Sequence, residues 1–168
     1  LKSGETLDAD IIVTATGLNL VVFGEVAFSV DGQPVDFSKT WTYKGLAVSD
    51  VPNLFSCFGY INASWTLRAD LTSEFVCRVL NHMEQTATRQ CTPRLRPSDR
   101  NMPGKNWIED FNPGYIQRAM HLFPKQSNRD PWQNTQNYKL DKTLMRKAPI
   151  DDGVLIFTNP GEEANHAQ

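Results

Sequence analysis

Few side chains in this sequence are of the types and spacing that carry out catalysis. The histidines are His82, His121 and His166, which fall in a long helical pattern, a shorter one and the tail. A serine nucleophile needs a histidine base and a supporting carboxylate. Ser64 follows a predicted strand, but it lies in Asn-Ala-Ser-Trp-Thr rather than in Gly-x-Ser-x-Gly. We therefore predict no catalytic residue in this chain.

The cysteines and carboxylates do not form a metal-binding pattern either. Cys57, Cys77 and Cys91 are widely spaced, with no Cys-x-x-Cys pair and no histidine at a ligand spacing. Cys57 lies in an apolar run and Cys77 in a helical pattern, so we expect both thiols to be buried. Asp151 and Asp152 are typical turn residues. The sequence predicts no metal site and no disulfide framework.

A ligand could instead be contacted through backbone groups, and the first candidate segment is Ala15, Thr16 and Gly17. These residues follow the continuous apolar run 11–13, Ile-Ile-Val, which is typical of a strand covered on both faces. Their small side chains allow the backbone to pass close to a ligand or a neighbouring chain. The alternative is a buried strand followed by an ordinary glycine turn.

The second candidate segment is the loop that precedes the clearest helix, and it consists of Asn62, Ala63, Ser64, Trp65 and Thr66. An apolar strand is predicted over residues 54–58, ahead of this loop. A helix N-terminus offers unpaired N–H groups and the positive end of the helix dipole to an electron-rich ligand. The alternative is an ordinary helix start, capped by Asn62, Ser64 or Thr66.

The elements that must position these segments follow from the residue pattern. Apolar residues recur every four positions from Leu67 to Met83, which predicts an amphipathic helix from about Trp65 to about Gln85. Asp31-Gly32 lies between two β-type runs and predicts a type I′ hairpin. Shorter elements are predicted as strands over 40–43 and 154–157, and as helical segments over 112–124, capped by Asn112, and over 140–145.

The remaining segments are predicted to be loops on the surface. Residues 89–105 contain five cations and three prolines, which favours an extended surface loop, and residues 130–138 are polar with two aromatics. With a net charge of −2 and few aromatics near the basic loop, we expect no nucleic-acid partner. No apolar run approaches the roughly 20 residues of a membrane span, so the expected location is cytoplasmic, with peripheral membrane association left open.

Length and glycine spacing bear on domain organisation. The 168 residues, 40% of them hydrophobic, are enough for one core. Of the ten glycines, no two are separated by a single residue, so Gly-x-Gly-x-x-Gly is absent and the chain has no dinucleotide fingerprint of its own. Because the sequence begins at Leu1 within a predicted loop, we expect a piece of a longer protein.

Four ordered segments resemble flavin-dependent monooxygenases, specifically the bacterial Baeyer-Villiger-type enzymes of the flavin-containing monooxygenase superfamily. They are Asp10-Ile-Ile-Val-Thr-Ala-Thr-Gly17, Trp41-Thr-Tyr-Lys-Gly-Leu46, residues 51–71, and the stretch from Phe111-Asn-Pro-Gly-Tyr-Ile to Asn134-Thr-Gln-Asn-Tyr138. The resemblance spans nearly the whole chain. It implies an α/β fold: the C-terminal part of a flavoprotein with two dinucleotide-binding domains, with a hairpin, one long amphipathic helix and an irregular extension.

The resemblance also implies a domain layout and cofactors. Residues 1–20 would end the NADP domain and return to the FAD domain, residues 21–88 would complete the FAD domain, and residues 89–168 would form the extension. Ala15, Thr16 and Gly17 would lie near the junction and the bound nucleotides, and the loop from Asn62 to Thr66 would point at the flavin ring. The cofactors would be FAD and NADPH.

The family's reaction uses NADPH and O2 to insert one oxygen atom into a ketone or to oxidise a sulfur or nitrogen compound. By the same resemblance, the family's two glycine-rich fingerprints, the signature motif between them and the active-site arginine would lie upstream of Leu1, so we expect this chain to be inactive alone. We also expect it to self-associate through the exposed apolar faces of the predicted strands at Ile11 and Phe55. The alternative from another class is a self-contained interaction or assembly module. That reading explains neither the small-residue turn nor the loop ahead of the long helix.

Overall fold

The described part of the chain, residues 1–109, 111 and 113–161 of a computed structural model, is a mixed α/β structure. Its sheets are three antiparallel pairs, formed by β1 (Ser29–Val30) with β2 (Gln33–Pro34), β3 (Thr42–Tyr43) with β4 (Ala47–Val48), and β5 (Gln90–Pro93) with β6 (Leu155–Thr158). The α-helices are α1 (Trp65–Gln85), α2 (Gly114–Ala119) and α3 (Tyr138–Lys147). The predicted α/β class is confirmed at this level.

The predicted hairpin forms at Asp31-Gly32. Both residues have positive φ, 50° and 77°, which is the backbone conformation that a type I′ turn requires. The flanking strands pair Val30 with Gln33 and Ser29 with Pro34. The predicted strand over 40–43 is present as β3, shortened to Thr42–Tyr43.

Helix α1 has the predicted bounds, and its apolar stripe faces the core. Leu71, Phe75 and Val79 are fully buried, because residues spaced by three or four positions lie on one helix face. Cys77 lies between these positions on the solvent side and is exposed, so the prediction that its thiol is buried is wrong.

Two clusters of apolar side chains form the interior. The larger one joins α1 to the two sheets β3–β4 and β5–β6 and to α3, and it includes Tyr43, Phe75, Trp132, Met145 and Leu155. The smaller one surrounds α2 and consists of Trp107, Ile108, Ile116, Ala119 and Phe123.

The prediction of a surface loop over residues 130–138 is wrong. Trp132 has no exposed surface, and its Nε1 donates a hydrogen bond to Oδ2 of Asp99 at 3.0 Å. Asn134 is also buried, where its Nδ2 donates to the carbonyl oxygen of Trp107. The polar composition of this segment is typical of a surface loop. The segment is nevertheless buried, because its polar groups form hydrogen bonds inside the protein.

The two apolar strands predicted ahead of the candidate segments are absent. Residues 11–13 contain no strand, and Ile11, Ile12 and Val13 are 81%, 81% and 85% exposed, because no strand among the described residues pairs with them. Residues 54–58 contain no strand either. Their backbone forms an isolated hydrogen bond from Ser56 N to Leu46 O rather than a ladder. Cys57 is consequently exposed, against the prediction of a buried thiol.

The basic segment 89–105 is only partly the predicted surface loop. It contains β5, which pairs along four residues with β6, and β6 itself confirms the predicted strand near 154–157 with a shift of one residue. Proline lacks the N–H group that donates in a strand ladder. Pro93 is the last residue of β5, so it does not interrupt the pairing with β6.

The two predicted short helices are present. A 3-10 turn, Met120–Leu122, continues α2, and α3 extends further than predicted, from Tyr138 to Lys147. The predicted Asn112 cap and the tail histidine His166 lie outside the described residues. Within the described ranges, no helix combines the length and the apolar character needed to cross a bilayer.

Candidate functional site

The first turn of α1 presents backbone donors that have no partner in the described part of the chain. Ser64 occupies the N-cap position, but its side chain makes no cap hydrogen bond to the helix. Its Oγ lies 2.7 Å from Oγ1 of Thr66 instead. The N–H of Leu67 donates to the carbonyl oxygen of Ser64, whereas those of Trp65 and Thr66 donate to no described acceptor. These two N–H groups at the positive end of a 21-residue helix can bind an electron-rich group.

The predicted contact residues at this helix end are open to solvent. Asn62, Ala63, Ser64 and Thr66 are exposed, and Trp65 is 56% exposed. The loop is therefore accessible from solvent, and its contact with a ligand stays a prediction. The predicted capping role of Ser64 is correct in position only, since its hydroxyl bonds to a side chain rather than to the backbone.

The indole of Trp65 is held by two residues of the preceding segment. Its ring centroid lies 4.9 Å from that of Phe58. It also covers Gly59, where an added Cβ would come within 2.1 Å of Trp65 Cγ. Gly59 therefore allows the indole of Trp65 to lie directly against the backbone, a role that the sequence did not reveal.

The other predicted segment, Ala15, Thr16 and Gly17, lies in an exposed N-terminal arm, residues 1–19. Gly17 has a φ of +82°, as expected for a glycine turn, and nothing lies within 4 Å of the position a Cβ would take. The arm joins the body of the protein where Arg118 Nη2 donates to the carbonyl oxygen of Leu18 and where Leu20 packs against the smaller cluster. Within the described ranges, no hydrogen bond joins this segment to the loop at α1.

A buried polar cluster that sequence reasoning missed lies directly beneath the loop. Arg68 and Asp141 form an ion pair in which each side chain is 1% exposed. Oδ2 of Asp141 accepts from Nη1 of Arg68 at 2.5 Å and from the hydroxyl of Tyr60 at 2.7 Å, and Oδ1 accepts from the hydroxyl of Thr135. Burial, and then the hydrogen bond to Asp141, raise the pKa of Tyr60 to about 12.

The helix pattern held a signal for this cluster. Arg68 precedes Leu71 by three positions and Phe75 by seven, so it occupies the buried face of α1. A charged residue on the apolar face of a helix predicts a buried partner.

A second ion pair joins Lys44, which is buried, to Asp152, which is partly buried. Lys44 Nζ is 3.3 Å from Oδ2 of Asp152, which also accepts from the hydroxyl of Tyr43 at 2.8 Å. Burial, together with the negative charge of Asp152, raises the pKa of Tyr43 far above its ordinary value. Asp152 also accepts from the N–H groups of Val154 and Leu155, so the predicted turn role is confirmed and extended.

An apolar cavity of about 230 Å³ lies beside the aromatic residues that support Trp65. Its walls include Leu20, Val22, Phe58, Trp107 and Phe123. Phe58 and Trp107 stack edge to face with centroids 4.5 Å apart. No group of three or more metal-ligating side chains occurs among the residues that the structure describes.

Comparison with known proteins shows which proteins this chain is related to. The chain is homologous to FAD-containing monooxygenases, which confirms the resemblance found in the sequence. It spans about a third of the length of the curated relatives it matches.

Three such relatives show the range of similarity. The chain is 49% identical over 160 residues to the FAD-containing monooxygenase EthA of Mycolicibacterium smegmatis, covering 94% of the chain and 32% of the relative. It is 43% identical over 157 residues to the probable FAD-binding monooxygenase AlmA of Acinetobacter baylyi, covering 94% and 31%. It is 38% identical over 162 residues to the putative FAD-containing monooxygenase MymA of Mycobacterium tuberculosis, covering 96% and 32%. No protein-family model and no solved structure matches the chain.

Proposed function

We propose that this chain is part of a flavin-dependent monooxygenase, which uses NADPH and O2 to insert one oxygen atom into a ketone or to oxidise a sulfur or nitrogen compound. The observation that carries the proposal is the identity of 38–49% to three FAD-containing or FAD-binding monooxygenases over at least 94% of the chain. In such enzymes the cofactors supply the hard chemistry, and the protein supplies binding and orientation.

The loop from Asn62 to Thr66 is the part of this chain that we assign to the flavin. The donor set fits the cofactor, since two N–H groups without a described partner and the hydroxyls of Ser64 and Thr66 stand at one exposed helix end. Bound FAD would supply the redox and oxygen chemistry. The chain's donors and the helix dipole would stabilise negative charge on the ring system.

We assign the segment Ala15, Thr16 and Gly17 to the junction between the two nucleotide-binding domains. The exposed arm supports this role, because an apolar run with 81–85% exposure is suited to being covered by neighbouring structure. We further propose that residues 1–20, 21–88 and 89–168 correspond to the end of the NADP domain, the end of the FAD domain and a C-terminal extension.

The contact between the second and third of these parts favours a single folded unit. Segments beyond residue 89, namely β5, β6, α3 and Trp132, pack on α1 and on the β3–β4 pair to form the larger core. The extension therefore lies directly against the helix that we assign to the flavin.

The test uses the full-length protein that contains this sequence, purified with its bound cofactor. We expect flavin absorbance and a rate of NADPH oxidation that rises with a ketone or sulfide from a panel of substrates. This chain expressed alone should show no turnover. A full-length protein without flavin absorbance and without NADPH oxidation would overturn the proposal and favour the interaction module.

A pair of variants of that protein tests the assignment of the loop. Thr66→Val removes a hydroxyl at the N-terminal end of α1, and Thr86→Val removes one at its C-terminal end. We expect the first variant to weaken flavin affinity by about tenfold, the range expected for a lost hydrogen bond to a charged group. The second should leave flavin affinity unchanged, and equal affinities for the two variants would contradict the assignment.

A further inference from the structure

The segment ahead of the loop at α1 makes two hydrogen bonds to the region beyond residue 130, and Ile61 also packs against the smaller cluster. The hydroxyl of Tyr60 donates to Asp141, and the backbone N–H of Ile61 donates to Oε1 of Gln136 at 2.9 Å. Asn62, Ala63 and Ser64 then extend into solvent. Tyr60 and Ile61 are therefore held immediately ahead of the exposed part of the loop.

Asp141 is the residue on which this anchoring converges. It accepts from Tyr60 in the segment ahead of the loop, from Arg68 in the first turns of α1, and from Thr135 in the segment before α3. Arg68 also donates through Nη2 to the carbonyl oxygen of Lys44, in the turn between β3 and β4. Five parts of the chain, counting α3 itself, thus meet at one buried ion pair.

Contacts other than this pair also join α1 and α3. Arg146 of α3 makes two hydrogen bonds to Glu74 of α1, at 2.5 and 2.6 Å. Arg78 of α1 donates to the carbonyl oxygens of Met145 and Ala148 at the end of α3. A buried ion pair is also a poor source of stability, since apolar residues of the same volume often serve as well.

We propose that the buried Arg68–Asp141 pair, acting through Tyr60, positions the loop from Asn62 to Thr66 for its ligand. Arg68, Asp141 and Tyr60 are positioning residues that do not touch the ligand themselves. The assignment of flavin as that ligand rests on the proposed function, whereas the positioning of the loop can be tested without it.

The first experiment measures backbone hydrogen exchange in this chain. Tyr60→Phe removes only the hydroxyl and leaves Asp141 paired with Arg68 and Thr135. We expect exchange of the Ile61 amide, which donates to Gln136, to accelerate by about tenfold, because the neighbouring hydrogen bond from Tyr60 to a charged group is lost. The matched control, Arg146→Gln, breaks the surface bridge between the same helices and should leave exchange of this amide unchanged.

Either of two results in the exchange experiment would overturn the positioning role. One is unchanged exchange of the Ile61 amide in Tyr60→Phe, and the other is equal acceleration of that amide in Arg146→Gln. The latter result would show that the loop responds to any weakening of the contact between α1 and α3.

The second experiment measures flavin affinity and the visible flavin spectrum of the full-length protein. Tyr60→Phe should weaken flavin binding and shift the spectrum, and Arg146→Gln should change neither. A wild-type protein that binds no flavin would refute the proposed function and leave the exchange result standing. A wild-type protein that binds flavin, with both properties unchanged in Tyr60→Phe, would refute the role in flavin binding.

Discussion

Single residues next to the helix end determine how Trp65 is presented, and Gly59 is the most restrictive of them. We expect Gly59→Ala to displace the indole of Trp65, because the new Cβ would lie 2.1 Å from its Cγ and the first side-chain torsion must rotate. Such overpacking costs about 1–3 kcal/mol. The indole N–H resonance of Trp65 should shift, and the midpoint of urea unfolding should fall.

Gly104→Ala is the matched control for this substitution. A Cβ at position 104 would lie 3.5 Å from the ring of Trp41, which is an ordinary van der Waals distance. Neither the Trp65 resonance nor the unfolding midpoint should change appreciably in this variant. An unshifted Trp65 resonance in Gly59→Ala would contradict the close approach.

The three cysteines should differ in reactivity because their surroundings differ. Cys57 and Cys77 are exposed, whereas Cys91 is buried, and burial raises the pKa of the Cys91 thiol to about 11. Since the thiolate is the reactive form, Cys91 should not react at pH 8. Mass spectrometry after brief iodoacetamide treatment should show two labels on the native chain and three after denaturation. Three labels on the native chain would contradict this arrangement.

At the scale of single residues, the sequence located the candidate loop but not what supports it. Asn62 to Thr66 could be predicted because a helix N-terminus follows from local periodicity. The Arg68–Asp141 pair joins residues 73 positions apart, and the contact of Trp132 with Asp99 joins residues 33 apart. Such partners depend on how the chain folds back on itself, so local patterns do not reveal them.

The secondary-structure elements also differ in how well the sequence predicts them. Helix α1 could be predicted to the residue, because its hydrogen bonds and its apolar stripe are set within one segment. The runs at 11–13 and 54–58 have the composition of strands but lack a neighbouring strand in the described structure. A strand forms its hydrogen bonds with a neighbouring strand, so amino-acid composition alone predicts more strands than the structure contains.

The 3-10 turn Pro97–Asp99 links the basic segment to the core, and its stability should depend on pH. Burial opposes ionisation of Asp99, but hydrogen bonds from Arg96 and Trp132 outweigh it and hold its pKa below the ordinary 3.8. A lowered pKa stabilises the folded state above the ordinary value, and this contribution disappears as the pH falls through the lowered pKa.

Comparison of Asp99→Asn with the wild type in urea at several pH values measures this contribution. The variant should be less stable by about 1–3 kcal/mol at pH 7, the range for hydrogen bonds to a charged group. The difference should shrink as the pH falls below about 3.8. Asp8→Asn, in the exposed arm, serves as the control and should match the wild type throughout. A difference that does not depend on pH would contradict the role of the charge.

At the scale of the whole molecule, homology and structure answer different questions. The similarity to FAD-containing monooxygenases extends along nearly the whole chain, although the chain spans only about a third of those relatives. The structure shows a packed body, held by the larger core, and an apolar arm that the body does not cover. The arm is therefore the part of the described structure in which a continuous apolar run stays exposed.

That arm should cause the chain to self-associate when it is studied alone. Ile11, Ile12 and Val13 are at least 81% exposed, and the backbone of residues 8–17 makes no hydrogen bond to any described residue. An exposed apolar segment with unpaired N–H and C=O groups is a template for pairing with a second copy.

Sedimentation velocity should show a weight-average mass that rises with concentration, and Ile12→Lys should reduce the rise. Leu80→Lys, at a 57% exposed position on α1, is the control and should leave the association intact. A wild-type chain that remains monomeric at high concentration would show that the arm does not mediate association.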